Sequence, residues 1–428
     1  MILARQIERL RGVYADYPQQ FWILIGSTFI DHVGGALIYP FLTLYVTCRF
    51  EVGMTEVGLV FGLFAVSSVV GSTIGGAMTD RLGRKGMLIF GLVGSATATL
   101  AMGLAQSLVL FLVSTLFVGL LAHSGGPAQQ AMVADLLPAH QRAQGFGMLR
   151  VVANLAVTIG PAIGGFVAAH SYLLLFVLDV AASLIAAVFV TLTVRETRPR
   201  GDGDEVTETV LETFKGYGDV LRDSVFVLFM LACILRAFVG MQLTTTLPVY
   251  LRDIGGVSER GFGTILSLNA AMVVLLQFPI TRWTNDRAPL RVMAGGMVMY
   301  ALGYAMYGFV SAYALFLVAV AVLTVGEMMT APVSQSLVSR MAPERMRGRY
   351  MATYGFSWVI PAAAAPTLAG LVMDYGDPRW VWYGTGLVGM LAAGVFLTLR
   401  RRVGSRFETR EESTPRTAVV GKEAPDSP

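Results

Sequence analysis

Charged residues are scarce in this sequence. Asp, Glu, Lys and Arg make up 14% of its 428 residues, whereas 55% are hydrophobic. A soluble domain carries roughly 25% charged residues. Cysteine and histidine are rarer still, with two and four copies, and they are too scattered to suggest a disulfide framework or a metal site. No phosphate-cradling glycine loop and no nucleophile–base pattern occurs. The sequence therefore predicts no enzyme, no cofactor and no metal.

Long apolar runs take up most of the chain. Each has about the length, roughly 20 residues, that crosses a bilayer as a helix. Because the backbone in lipid must satisfy its own hydrogen bonds, such runs predict helices. The sequence thus predicts an all-α polytopic membrane protein with twelve transmembrane helices, called spans 1 to 12 below. The predicted spans are approximately 20–46, 56–79, 86–105, 108–135, 144–169, 172–194, 224–252, 260–282, 290–311, 313–341, 349–374 and 380–400.

The Lys and Arg residues predict the orientation in the membrane. If both termini are cytoplasmic, all but five of the 32 basic residues fall on the cytoplasmic side. Four are external, Arg49, Arg252, Arg260 and Arg379, and Arg236 lies inside span 7. This asymmetry follows the positive-inside rule. We therefore expect a multi-pass protein of the cell membrane with both termini cytoplasmic. The net charge of +4 is explained by topology, without nucleic-acid binding.

The two halves of the chain repeat each other. PAQQAMVADLLPAHQR (127–142) aligns with PVSQSLVSRMAPERMR (332–347), with matched proline, glutamine, valine and arginine positions. The longest polar interruption, 195–223, lies between the halves. We predict an N-terminal six-helix bundle at 1–194, a cytoplasmic linker with a surface helix at 195–223, a C-terminal six-helix bundle at 224–402 and a disordered tail at 403–428. Two such pseudo-symmetric bundles are typical of secondary transporters, whose substrate sites lie at the repeat interface.

The loop between spans 2 and 3 reads GGAMTDRLGRKGM (75–87). Its pattern G-x-x-x-D-R-x-G-R-K resembles the signature loop of the major facilitator superfamily, and the plain alternative is a basic turn that only sets topology. The resemblance extends from about residue 18 to 402 and implies the major facilitator fold. It also implies that this loop is a conformational switch that stabilises the outward-facing state. The candidate switch residues are Gly76, Asp80, Arg81, Gly83, Arg84 and Lys85. Gly76 is expected to allow the close approach of another helix.

Span 5 contains IGPAIGG (159–165). Gly-Pro in a helix interior bends it, and paired glycines allow close packing. The stretch is similar to the fifth-helix motif of drug:proton antiporters in the same superfamily, which implies antiport. A kinked packing helix is the alternative interpretation. The motif residues are Gly160, Pro161, Gly164 and Gly165.

Ionisable side chains inside spans are rare and mark functional sites by default. The proton-coupling candidates are Asp31, Glu327, Arg236 and His123. The substrate-cavity candidates are His32, Asn154, Gln242 and Asn269. The resemblance places spans 1, 4, 7 and 10 around the central cavity, and span 4 offers His123 where antiporters of this type usually carry an arginine.

Two interpretations of Asp31 remain open. The repeat aligns it with Arg236, and in the first interpretation these two side chains form a structural salt bridge. In the second, Asp31 or Glu327 exchanges a proton during the transport cycle. Neighbouring residues on a helix point about 100° apart. If Asp31 faces the cavity, we therefore expect His32 to face a neighbouring helix.

The resulting functional prediction is proton-coupled efflux, by alternating access, of a small amphipathic compound or drug. The expected partners are that substrate, protons and membrane lipid, with no nucleic acid, and the carrier is expected to be a monomer. The alternatives are a proton-coupled symporter of a sugar or other nutrient, a lipid carrier, and a membrane receptor that transports nothing.

Overall fold

The computed structural model describes residues 16–197, 218, 220–285, 287–343 and 346–403. The predicted surface helix of the linker and the predicted C-terminal tail therefore lie outside the described residues, apart from the ends of those two segments. The side chains of Asp80 and Arg81 also lie outside them. Throughout the described part the regular structure is helical, with no strand.

Twelve of the helical segments in the described part are long and apolar enough to cross a membrane, which confirms the predicted number of spans. Span 1 consists of Gln19–Ile38, a 3₁₀ turn at Tyr39–Phe41 and Leu42–Phe50. Span 4 consists of Leu108–Ser124 and Gly126–Leu136, and span 7 is Ser224–Thr245, followed by the short helix Leu247–Asp253. The other nine spans are the helices Met54–Leu82, Arg84–Gly103, Ala139–Ala168, Tyr172–Thr193, Glu259–Asn285, Pro289–Phe309, Tyr313–Met341, Arg347–Tyr375 and Arg379–Val403.

Proline explains where spans 1, 4 and 7 are interrupted. Pro40 lies in the 3₁₀ turn of span 1, Pro127 in the first turn of the second segment of span 4, and Pro248 in the first turn of the helix after span 7. Proline has no N–H to donate and is tolerated in the first turn of a helix, so each segment restarts there. By contrast, Pro161 and Pro332 lie inside unbroken helices.

The packing of the spans repeats between the halves. Span 1 packs on spans 5 and 6, as span 7 packs on spans 11 and 12. In the first half, span 2 packs on span 4, and span 3 packs on spans 4 and 6. In the second half, span 8 packs on span 10, and span 9 packs on spans 10 and 12. The main contacts between halves are span 2 with span 11 and span 5 with span 8, which this symmetry exchanges. The duplicated sequence thus folds as two copies of one six-helix unit.

Candidate functional site

A polar site in the second half centres on Glu327. Thr324 and Glu327 lie three residues apart and so share one face of span 10. The side-chain amide of Asn269, on span 8, donates to Thr324 Oγ1 at 2.9 Å and to Glu327 Oε2 at 3.0 Å. Glu327 is only partly buried, whereas Thr324 is fully buried. Two predicted site residues, Asn269 and Glu327, are thus in direct contact.

Arg236 lies next to this site and is 2% exposed. Its guanidinium carbon lies 4.8 Å from the centre of the Trp358 ring, which is a cation–π contact between spans 7 and 11. Glu327 is close enough for its charge to interact with that of Arg236, although no ion pair forms between them. The guanidinium atoms Nε and Nη2 have no hydrogen-bond partner among the described residues. A buried charge in this state is unusual, because guanidinium groups are normally paired when they leave water.

A second carboxylate site lies in the first half. Asp31 accepts a hydrogen bond of 2.6 Å from the Ser183 hydroxyl on span 6. Asp179, one turn earlier on span 6, is 9% exposed and interacts with the charge of Asp31. A Cβ atom at Gly34 would lie 2.6 Å from Asp179 Oδ1, so the missing side chain makes room for this carboxylate against span 1. Span 1 therefore turns its acidic side chain towards span 6.

This arrangement bears on both interpretations of Asp31 and on the orientation of His32. Asp31 bonds Ser183 of its own half and makes no salt bridge with Arg236 in this structure. His32 was expected to face a neighbouring helix if Asp31 faces the cavity. Asp31 contacts span 6 instead, and 41% of the His32 side chain is exposed, compared with 28% for Asp31. The Asp31 carboxylate accepts from a hydroxyl on span 6, and the adjacent imidazole points about 100° away from it around the helix.

In the described part of the chain, the remaining predicted proton-coupling and cavity residues make no hydrogen bond to these two sites. His123 is exposed, with Nδ1 3.2 Å from the Gly119 carbonyl oxygen and its ring at 5.5 Å from that of Phe64. Asn154 is also exposed. Gln242 is 1% exposed, and its Oε1 has no hydrogen-bond partner among the described residues. His123, Asn154 and Gln242 thus stay individual candidates.

The loop between spans 2 and 3 is built around an acid that the sequence reading did not single out. Glu196, just after span 6, accepts hydrogen bonds from the backbone N–H groups of Arg84 and Lys85 at 3.0 and 3.2 Å. A carboxylate at a helix N-terminus is stabilising, and these are the first residues of span 3. Gly83, with φ of 89°, provides the turn that brings Glu196 there. The Arg84 side chain forms an ion pair with Asp135 of span 4.

One glycine assignment in this loop is wrong. Gly76 was expected to provide the close helix approach, but a Cβ atom there would lie at an ordinary 3.9 Å from Pro127. A Cβ atom at the preceding Gly75 would overlap the backbone of Ser124. Spans 2 and 4 therefore approach each other closely at Gly75, where no side chain would fit, whereas a Cβ atom at Gly76 would make only ordinary contact with span 4.

The fifth-helix glycines serve two interfaces. Cβ atoms at Gly160 and Gly164 would collide with span 1, the latter at 2.7 Å from the Leu37 carbonyl oxygen. A Cβ atom at Gly165 would lie 2.7 Å from the Cα atom of Gly263 on span 8. Span 5 continues as one helix through Pro161. The packing role predicted for the motif is thus visible in the structure.

The two halves are tied together at one end of the bundle, which we call the contact end. It carries the loops 51–53, 254–258 and 376–378. Asp374, at the end of span 11, accepts hydrogen bonds from the Met54 and Thr55 N–H groups at 2.9 and 2.7 Å and from the Thr55 hydroxyl at 2.6 Å. These N–H groups are the free donors at the start of span 2. The positive-inside pattern predicts that the contact end is the external one.

Two further hydrogen-bonded contacts lie at the contact end. Tyr172 donates to Glu259 Oε1 at 3.1 Å. Arg252 Nη1 donates to Thr47 Oγ1 and to Cys48 Sγ, each at 2.9 Å. The guanidinium also bonds its neighbour Asp253, and this bond is the main reason why the pKa of Arg252 is raised. Each contact joins one half of the protein to the other.

Comparison with known proteins identifies the family. A family model described as Major Facilitator Superfamily matches residues 24–262 and 251–425. The chain belongs to the major facilitator superfamily. It is 31% identical to the Na(+), Li(+), K(+)/H(+) antiporter of Planococcus maritimus, over 89% of this chain and 96% of that protein. It is 24% identical to the multidrug resistance protein MdtH of Klebsiella pneumoniae (strain 342), over 93% of this chain and 97% of that protein.

Solved structures of this superfamily share the fold. A POT family transporter in complex with 5-aminolevulinic acid matches with a TM-score of 0.76 and 14% identity, over 90% of this chain and 97% of that one. A mutant of the nucleoside transporter NupG matches with a TM-score of 0.74 and 12% identity, over 89% and 100%. This confirms the major facilitator fold. Together with the family match and the sequence relatives, it supports a membrane transporter.

Several polar residues at these sites escaped the sequence analysis. Glu196 and Asp374 lie just outside or at the end of spans, where acidic residues are ordinary. Ser183 and Trp358 lie inside spans, where hydroxyl and aromatic side chains are common in a major facilitator protein. The available signal was spacing: Asp179 and Ser183 are four residues apart and so share one helix face.

Proposed function

We propose that this protein is a proton-coupled antiporter that exports small amphipathic compounds across the cell membrane. The supporting observation is Glu327, a partly buried carboxylate within span 10 whose hydrogen bond comes from the neutral amide of Asn269. A carboxylate inside a span is stable when it is neutral or paired. Arg236 lies nearby without pairing with it. Glu327 therefore takes up a proton when it is enclosed and releases it when water or a cationic group reaches it.

Alternating access follows from the contacts between the halves. Spans 2 and 11 and spans 5 and 8 meet at the contact end through Asp374 and the Gly165–Gly263 contact. Breaking these contacts opens that end, and the signature loop of spans 2 and 3 would then hold the opposite end closed. We propose that the carrier works as a monomer with both termini cytoplasmic and that the linker joins the two moving halves.

Monovalent cation/proton exchange is a second candidate function. The observation that favours it is the 31% identity, over nearly the whole of both chains, to a protein named as a Na(+), Li(+), K(+)/H(+) antiporter. In this case an alkali cation replaces the amphipathic compound as the ion exchanged for protons. One assay can test both candidates.

The test uses purified protein in liposomes loaded with the pH indicator pyranine. Ethidium, NaCl, LiCl or KCl is added outside in separate runs. Antiport makes the lumen more alkaline, symport makes it more acidic, and a receptor changes nothing. These signs do not depend on how the protein inserts. Ethidium-driven alkalinisation supports drug export, and a response to the salts alone supports the second candidate. Acidification with either would overturn the antiport proposal.

Variants assign the proton carrier. Glu327→Gln retains an oxygen that can accept from Asn269, so the fold should survive while proton flux falls at least tenfold. Asp31→Asn is tested in parallel, because Asp31 is the other candidate. Glu51→Gln, an exposed carboxylate in the loop after span 1, is the matched control and should behave like the wild type. If both span variants retain full flux, neither carboxylate carries the proton.

A further inference from the structure

The Arg236 guanidinium is a buried charge with two unpartnered donor atoms in the described part of the protein. It is 2% exposed, yet Nε and Nη2 lack hydrogen-bond partners there. Removing a charge from water without replacing its hydrogen bonds is strongly unfavourable. Its face is covered by Trp358 at 4.8 Å, and a cation–π contact uses the face of the guanidinium and none of its N–H groups. The stack therefore leaves the donors unused.

The two unpartnered atoms define which group would satisfy them. The N–H of Nε and one N–H of Nη2 point the same way from one edge of the planar guanidinium. This edge donates two parallel hydrogen bonds to a group with two adjacent acceptor oxygens, and a carboxylate fits it best. Trp358, which lies against the guanidinium, is itself 40% exposed.

Glu327 supplies the complementary charge. Asn269 donates to its Oε2, and the side chain is only partly buried. Arg236 and Glu327 interact through their charges but stay farther apart than an ion pair. A molecule that carries both a carboxylate and an amino group can pair with both residues at once.

We propose that Arg236, Glu327 and Trp358 form the subsite for an aromatic zwitterion. The carboxylate of the substrate binds the Nε–Nη2 edge of Arg236, its amino group pairs with ionised Glu327, and its ring packs against Trp358. This inference rests on the proposed antiport and names its substrate class. A proton on Glu327 removes the partner of the amino group and promotes release, so protons and substrate compete, as exchange requires.

Equilibrium dialysis with purified protein in nanodiscs tests the inference with a matched ligand set. Tryptophan carries both charged groups, tryptophanamide lacks the carboxylate, and indole-3-propionate lacks the amine. We expect tryptophan to bind at least tenfold more tightly than either analogue at pH 7, where the amino group of tryptophanamide is still mostly protonated, and this advantage to shrink at pH 5. Equal binding of tryptophan and tryptophanamide would overturn the role of Arg236, and no binding of tryptophan would overturn the subsite.

Variants separate the contacts. Arg236→Lys keeps the charge but loses the two-donor edge. It should weaken the binding of tryptophan at least tenfold and have little effect on the binding of tryptophanamide. Glu327→Gln should weaken the binding of tryptophan and of tryptophanamide, but not the binding of indole-3-propionate. If it instead strengthens tryptophan binding, Glu327 competes for Arg236 and the assignment fails. Proton release is measured on the same wild-type protein. If tryptophan binds but drives no proton release, antiport alone is rejected. If ethidium drives proton release but tryptophan does not bind, the subsite alone is rejected.

Discussion

Replacing Asp374 with asparagine tests whether the end of span 11 locks the halves together at the contact end. The wild-type carboxylate accepts three hydrogen bonds from the first residues of span 2, Met54 and Thr55. Asparagine retains one acceptor oxygen, loses the negative charge and cannot accept all three in the same way. We expect the Asp374→Asn variant to populate the state in which the contact end is open.

The structure sets the size of the effect. Hydrogen bonds to charged groups contribute about 1.5–3 kcal/mol when they are sheltered, and a charge at a helix N-terminus about 0.3–1 kcal/mol. Two of the three bonds to Asp374 are exposed to solvent, so we take a total loss of about 1–2 kcal/mol. A change of this size shifts a two-state equilibrium by roughly 5–30-fold.

Distances between spin labels measure the shift. Arg49→Cys and Arg379→Cys place labels on opposite halves of the contact end, in a Cys48→Ser background that removes the exposed native thiol. Double electron–electron resonance then gives the populations of short and long distances. The long-distance population should rise roughly 5–30-fold relative to the short one in Asp374→Asn.

Two further variants make the interpretation secure. Gly53→Ala would place a Cβ atom 2.6 Å from Asp374 Oδ2, and its φ of −77° suits alanine, so it should displace the carboxylate and mimic Asp374→Asn. Because both act on one contact, the double variant should add little. Asp377→Asn, whose carboxylate bonds the Arg379 N–H of its own loop, is the control. Unchanged populations in Asp374→Asn and Gly53→Ala would refute the lock.

Other contacts predict further outcomes. Gly263→Val should force spans 5 and 8 apart at Gly165, because a Cβ atom at 263 would lie 3.0 Å from the Gly165 Cα atom. We expect the free energy of unfolding to fall by about 1–3 kcal/mol. An unchanged temperature of thermal unfolding would contradict this. Tyr350 lies before the membrane-crossing part of span 11. Burial and the hydrogen bond that it donates to Asp223 at 2.9 Å raise the pKa of Tyr350 from 10.0 to about 12. The folded state thus favours the neutral phenol, so its stabilisation is complete below about pH 10 and is lost between about pH 10 and 12. Tyr350→Phe should lose about 1 kcal/mol at pH 7 and show less alkaline destabilisation in thermal unfolding at pH 8 and 11; identical pH profiles would count against the contact.

Local sequence properties were enough to predict the class and the repeat of this protein. Twelve apolar runs appear as twelve candidate spans, because a bilayer-spanning helix satisfies its backbone within a single segment and its length is set by the membrane. The matched prolines of the repeat correspond to a packing pattern that recurs between the halves. The signature loop indicated the family, and the match to the family model confirmed it.

Local sequence properties could not predict which distant residues contact each other. The repeat aligned Asp31 with Arg236, but equivalent sequence positions need not face each other across a cavity. Asp31 found a hydroxyl donor on Ser183 instead. Which of two adjacent glycines, Gly75 or Gly76, admits a neighbouring helix depends on the rotation of span 2, and one step along a helix turns a position by about 100°.

The sequence by itself therefore determined that this is a twelve-helix carrier of duplicated design with rare ionisable groups in its spans, because membrane insertion acts on composition and length. Only the tertiary structure decided which groups are in contact. Glu327 accepts from an amide on span 8, Arg236 stacks on an indole on span 11, and the start of span 2 donates to the carboxylate of Asp374. The physical reason is that these contacts join residues up to 320 positions apart. They depend on helix rotation and crossing, which the packing of all spans sets together.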